Sequence, residues 1–131
     1  SGNLPNNWEF SIPTEEEWEY ACRSGETTRY SFGESAAVLA EHGWFARNAS
    51  LAGQRYAHEV CQLKPNRWNI FDMHGNVWEW CRSTADHKPY RGGSWMYPAE
   101  LCRSASRGEY APEERYNDLG IRLVLRETRK P

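Results

Sequence analysis

Two carboxylates seven residues apart, Asp72 and Glu79, bracket a Gly75-Asn76 turn in the stretch Asp72-Met73-His74-Gly75-Asn76-Val77-Trp78-Glu79-Trp80. Carboxylates beside a turn that can aim backbone carbonyls inward are hard oxygen ligands, suited to Ca²⁺ and not to a soft metal. The same residues have a plainer use: Asp72 can cap a turn, and Glu79 can pair with an arginine such as Arg91. Four cysteines, Cys22, Cys61, Cys81 and Cys102, are spaced 39, 20 and 21 residues apart with no C-x-x-C, so neither a zinc ribbon nor a thioredoxin-type motif is supported. Cys22 and Cys61 read as small buried thiols; whether Cys81 and Cys102 meet in space is open at this level. His42, His58, His74 and His87 show neither H-x-x-x-H nor H-E-x-x-H spacing, and no G-x-S-x-G or P-loop occurs. The histidines read as structural or exposed groups rather than bases.

These groups must be positioned by a chain of 131 residues and 15.3 kDa, about one domain, which should bury roughly two thirds of its unfolded surface. Sixteen Lys plus Arg against eighteen Asp plus Glu leave a net charge of −2. That balance offers no electrostatic footprint for nucleic acid or an anionic membrane. No apolar run approaches the ~18 residues of a membrane span, and no signal-like segment opens the sequence. Seven Trp and seven Tyr stand beside ten Gly and seven Pro at a mean hydropathy of −0.88. This composition predicts a loop-rich fold held by aromatic anchors, not a disordered chain.

One helix is clearly written. Thr14 is its N-cap, Glu17 completes a capping box, Trp18, Ala21 and Cys22 form the buried stripe, and Gly25 is its stop. Glu15, Glu16 and Glu17 read as a solvated first turn facing the helix dipole. Ser35 opens a short second helix within 35–45, and 46–75 reads as irregular loops. Strands are expected at 76–81, at 90–95 and at 120–126, the last inside the sheet with Ile121 and Leu123 buried. Residues 96–119 form a polar, Tyr- and Glu-rich loop without a sustained period.

Three segments together resemble a known family. They are Ile12-Pro13-Thr14-Glu15-Glu16-Glu17-Trp18-Glu19-Tyr20-Ala21, the stretch from Asp72 to Trp80, and Arg91-Gly92-Gly93-Ser94-Trp95 followed by Cys102-Arg103-Ser104-Ala105-Ser106-Arg107 and Leu119-Gly120-Ile121-Arg122. The pattern resembles the formylglycine-generating enzyme (sulfatase-modifying factor) family over about residues 10–125. The resemblance implies an α+β fold of the C-type-lectin type, with a small twisted antiparallel sheet, few helices and long loops, in a single domain spanning 1–131. The family usually carries a further large segment before the helix signature, where this sequence has about ten residues. The chain is therefore expected to be a fragment, a processed product or a half completed by a missing N-terminal segment or a second chain. The likeness suggests a bacterial protein, and the compartment, cytoplasm or cell surface, is open at this level.

For the site, the resemblance implies Ca²⁺ held by the Asp72 and Glu79 side chains with the Gly75 and Val77 carbonyls. A second calcium site of the enzymes would need an acidic cluster that 51–56 lacks. Enzymes of the family oxidise a substrate cysteine to formylglycine with two cysteines that bind Cu(I), a soft ion that a thiolate pair suits. Counted from Gly92-Gly93-Ser94-Trp95, those places hold Tyr97 and Cys102, so the pair is broken, no copper is expected and no catalytic residue is assigned. The copper-dependent oxidase stands as the alternative. The family's non-catalytic members include the variable proteins of diversity-generating retroelements, whose diversified segment corresponds to 96–119. That likeness implies a protein or small ligand bound by Trp95, Tyr97, Glu100, Tyr110, Glu113, Tyr116, Asn117 and Asp118. Tyr and Asn suit binding loops through rigid contact area and adaptable hydrogen bonds.

Overall fold

The computed structural model describes residues 5–128. Helix α1, Glu15–Arg23, begins as its sequence dictates. The Glu17 N–H donates to the Thr14 hydroxyl at 3.2 Å and the Thr14 N–H donates to the Glu17 carboxylate at 2.9 Å. Its last residue is Arg23, Ser24 caps it in a left-handed conformation with φ 48°, and Gly25 follows at the expected stop with φ 93°. Trp18 and Cys22 are buried, and Ala21 packs partly buried beside them. The first turn is not simply solvated. Arg91 Nε and Arg107 Nε both donate to Glu15, at 2.9 and 2.8 Å, tying the helix to two strands, and the Arg107 guanidinium holds the Glu15 carboxyl below its ordinary value.

Strands β1 (Trp8–Ser11) and β6 (Val124–Glu127) form an antiparallel pair, with Phe10 opposite Leu125. The second sheet runs β4 (Arg107–Tyr110), β3 (Lys88–Arg91), β2 (Trp78–Trp80), β5 (Leu119–Gly120). Its β2–β5 pairing is parallel, so the sheet is mixed rather than wholly antiparallel. The α+β class and the small sheets agree with the expectation from sequence. No helix among the described residues is long and apolar enough to cross a membrane.

Five expectations about the elements need correction. The last strand is broken into β5 and β6, and Ile121 and Leu123 are 59% and 56% exposed instead of buried. The cause is Arg122, whose guanidinium turns inward to Glu79. Side chains alternate along extended chain, so an inward residue 122 sends 121 and 123 outward. Second, 46–75 is not wholly irregular: Ala46–Leu51 forms helix α2, too short for a period. The Asn48 carboxamide accepts from the Phe45 N–H at 2.8 Å and donates to the Gly43 carbonyl at 3.0 Å. Third, the 96–119 loop contains a 3₁₀ turn, Ala99–Cys102, and the edge strand β4. Strand β3 lies earlier than expected, at 88–91, and the left-handed Gly92 and Gly93 follow it. The expected second helix is a 3₁₀ turn, Ala36–Glu41, with the Ser35 hydroxyl accepting from the Ala37 N–H.

The core has two clusters. Trp18, Cys22, Met73 and Cys81 form one, and Tyr30, Leu39, Phe45 and Cys102 the other. His74 links them. Its Nε2 accepts from the Ser31 N–H at 3.1 Å, so Nδ1 carries the proton and donates to the Cys102 carbonyl at 2.8 Å. Burial holds its pKa down at about 4, and the ring is neutral. Gly93 permits a close approach in the second cluster: at φ +77°, a Cβ there would lie 2.5 Å from Cys102 Sγ and 2.9 Å from the Leu101 carbonyl oxygen. Gly93→Ala should therefore cost at least about 2 kcal/mol in urea unfolding. Gly25→Ala, left-handed as well but with nothing within 4 Å, should cost about half as much.

Candidate functional site

The site begins with strand alternation. Trp78 and Trp80 are two apart on β2 and share a face, while Glu79 between them points the other way. Antiparallel register sets Tyr90 of β3 opposite Trp80 and Gly108 of β4 opposite Tyr90. Gly108 has to lack a side chain, because a Cβ there would lie 2.2 Å from the Tyr90 ring. With that ring lying over the edge strand, Tyr110 stacks on Tyr90 at 4.5 Å between centroids, and Tyr116 follows at 4.6 Å. Tyr97 meets Trp78 edge-on at 5.5 Å, and Trp80 lies 6.4 Å from Tyr110. The result is an aromatic shelf graded from buried Trp78 to Tyr116, which is 45% exposed.

The Tyr116 hydroxyl donates to the Glu114 carboxylate at 2.7 Å, which pushes its pKa up to about 12. The adjoining Tyr90, and then burial, push Tyr110 up to about 12. Both remain phenols at neutral pH.

Of the residues expected to bind ligand, Tyr97, Tyr110 and Tyr116 are brought together here. Glu113 and Asn117 are exposed on the turn carrying Tyr116. Glu100 belongs elsewhere: it lines a cleft with Phe45, Arg47, Leu51 and Pro98. Trp95 and Asp118 are scaffold rather than surface, at 5% and 6% exposure. Asp118 accepts from the Ser94 hydroxyl at 2.7 Å, and its carbonyl receives the Trp78 N–H. Sequence reasoning missed Trp80 and Tyr90 as members of the shelf and Trp78 as its buried base. The signal was available in the i, i+2 spacing of two tryptophans on a strand.

On the opposite side of β2 a cleft of about 380 Å³ is lined by Asp72, Asn76, Val77, Glu79 and Arg122, among others. Glu79 accepts from Trp18 Nε1 at 2.6 Å and from Arg122 Nε and Nη2, each at 2.8 Å. Its arginine is thus Arg122, not Arg91, which is taken by Glu15 and Glu19 of α1. Asp72 has φ 58° and accepts the Cys61 N–H at 2.8 Å. Asn76 accepts the His58 N–H at 2.8 Å and donates to the His58 carbonyl at 3.1 Å. Among the described residues no hydrogen bond ends on the Gly75 or Val77 carbonyl, and no group of three or more His, Cys, Asp or Glu converges as metal ligands. Gly75 packs against the Trp44 backbone and does not line the cleft.

All four thiols are free. Burial pushes Cys22, Cys81 and Cys102 up to about 12, so they are neutral. Cys61, expected inside, is exposed: its N–H is pinned to Asp72 from a left-handed backbone. Cys81 and Cys102 sit in different core clusters and do not pair.

Known proteins are similar to this chain in sequence and fold. The chain is 35% identical to the formylglycine-generating enzyme of Mycobacterium tuberculosis over 149 aligned residues, covering 86% of this chain and 50% of that protein. It is 30% identical to the inactive C-alpha-formylglycine-generating enzyme 2 of Mus musculus, over 86% of this chain and 42% of that one. Among solved structures, Treponema denticola variable protein 1 superposes with a TM-score of 0.79 at 32% identity, over 87% of this chain and 46% of its own. The chain thus spans half or less of the length of each. Residues 3–127 match the sulfatase-modifying factor enzyme 1-like domain, and with the helix signature, the central motif and the Gly-Gly-Ser-Trp run all in their places, the chain belongs to that family.

Proposed function

We propose that this chain is a recognition module that binds a protein or smaller ligand on the Tyr97, Tyr110 and Tyr116 surface and performs no oxidase chemistry. The observation that carries the reading is the graded stack of tyrosines on an edge strand. Rigid aromatic rings lose little entropy on binding and supply most of the energy of interfaces that use them. The likeness to a variable protein and to an inactive relative supports the same reading. Against the oxidase stands the thiol inventory. The first of the two expected copper-binding places holds Tyr97. The second, Cys102, lies at 0% exposure beneath Gly93 with its pKa pushed up to about 12.

A calcium ion at the opposite cleft belongs to the proposal as a structural element. Its donor chemistry fits in part. Asp72 and Val77 line the cleft and offer hard oxygen donors, and among the described residues the Gly75 carbonyl takes no hydrogen bond. Glu79 is already ion-paired with Arg122 and hydrogen-bonded by Trp18, which leaves Asp72, with no ion pair among the described residues, as the carboxylate more available to a cation. Bound calcium would supply that compensation and brace the turn that aims His74 into the core.

Four measurements check these statements. In the native state one thiol per chain, Cys61, should react rapidly with a chromogenic disulfide, and all four should react after unfolding. Cu(I) titration should find no tight two-thiolate complex; such a complex with oxygen consumption on a cysteine peptide would establish the oxidase instead. Tyr116→Ala should leave the melting temperature within a degree or two, yet weaken ligand captured from a peptide or protein library by about 2 kcal/mol or more. Chelation should lower the melting temperature, since binding at a hundredfold excess over Kd is worth roughly 2.7 kcal/mol. Asp72→Asn should abolish that sensitivity, and a wild-type curve indifferent to chelator would leave the turn to its hydrogen bonds alone.

A further inference from the structure

A separate concavity of about 330 Å³ lies where the chain runs on past β2, between the entry to α1 and the start of β3. Its floor is held on both sides. The Arg82 N–H donates to the Pro13 carbonyl at 2.7 Å and the Cys81 N–H to the Pro89 carbonyl at 2.8 Å. Trp80, Ile12 and Pro112 form apolar walls, while Arg82 and Lys88 supply positive charge. The charge there runs opposite to that of the chain. The whole sequence has a net charge of −2, whereas this lining contains two cations and no carboxylate. Lys88 Nζ donates to the Ser83 and Ala85 carbonyls at 3.0 and 2.6 Å, which fixes the ammonium in place and leaves its third N–H over. Arg82 is exposed and forms no ion pair among the described residues. Cys81 is a neutral thiol and does not repel an anion.

We infer that this concavity is a binding site for a carboxylate carried on an aromatic or branched apolar group. An apolar ring fits against the indole of Trp80 and the ring of Pro112, and the carboxylate meets Arg82 and the remaining N–H of Lys88. A guanidinium matches a carboxylate through paired N–H donors, which gives both charge and orientation. The volume, near the lower end for small-molecule sites, suits one ring with its acid rather than an extended chain. The site does not depend on the tyrosine surface for its binding groups, although Trp80 borders both.

Titration calorimetry with N-acetyl-phenylalanine, its amide, and a hexapeptide ending in phenylalanine tests the inference. The free acid should bind once per chain and the amide at least tenfold more weakly. Arg82→Gln, at an exposed side chain that should leave the melting temperature unchanged, should reduce the acid to the level of the amide. Tyr116→Ala should leave acid binding as it was, so that loss of the tyrosine reading and loss of this one are told apart. If the hexapeptide outbinds the free acid, the natural source is a polypeptide C-terminus; if it does not, the source is a small acid. Equal binding of acid and amide, no effect of Arg82→Gln, or no binding of either compound overturns the site.

Discussion

The carboxylate of Glu79 is the constraint around which the rest is arranged. It lies buried at 6% exposure and takes three hydrogen bonds, one from an indole on α1 and two from the Arg122 guanidinium. A buried ion is tolerable only when its partners are complete, and removing one partner from such a pair typically costs about 3–5 kcal/mol. The helix, the central strand and the segment between the sheets therefore converge on one group. Strand alternation carries the consequence across the sheet: with Glu79 turned to the helix, Trp78 and Trp80 must face the other side, where the tyrosines gather. The same rule acts on residues 121 and 123, whose exposure follows from the inward turn of Arg122.

Much of this was legible in the sequence wherever a local rule sufficed. The capping box at Thr14 and Glu17, the strand at Trp78 and the glycines after Arg91 each depend on neighbours within a few residues. The partner of Glu79 did not. Arg91 stands directly opposite Glu79 in the ladder, yet α1 covers that face and offers Glu15 and Glu19 to it. Only the tertiary placement of the helix decides which arginine is left for Glu79, and it is one 43 residues away. Strand β4 was illegible for a similar reason. Gly108 reads as a loop residue until the Tyr90 ring that needs its space is in place.

The candidate binding residues divide along the same line. Residue type singled out the tyrosines as candidates, and the structure sets Tyr97, Tyr110 and Tyr116 on one side of the sheet. Type could not separate Asp118, committed to Ser94 and to the Trp78 amide, from Asn117 beside it in solvent. Nor could it separate Glu100, in a different cleft, from Glu113. The thiols show the converse: Cys102 lies in the segment where copper ligands would be expected, and the core packing around it makes it an interior side chain.

The turn from β4 to β5 ends on that buried Asp118, and none of the residues 111–117 before it is buried. Asp118 thereby insulates the core from everything upstream in the turn. None of the seven side chains belongs to either core cluster, so substitutions there leave the clusters' own contacts in place. The buried Glu79–Arg122 pair and the His74 link lie outside this stretch, so the shape of the scaffold is set independently of it.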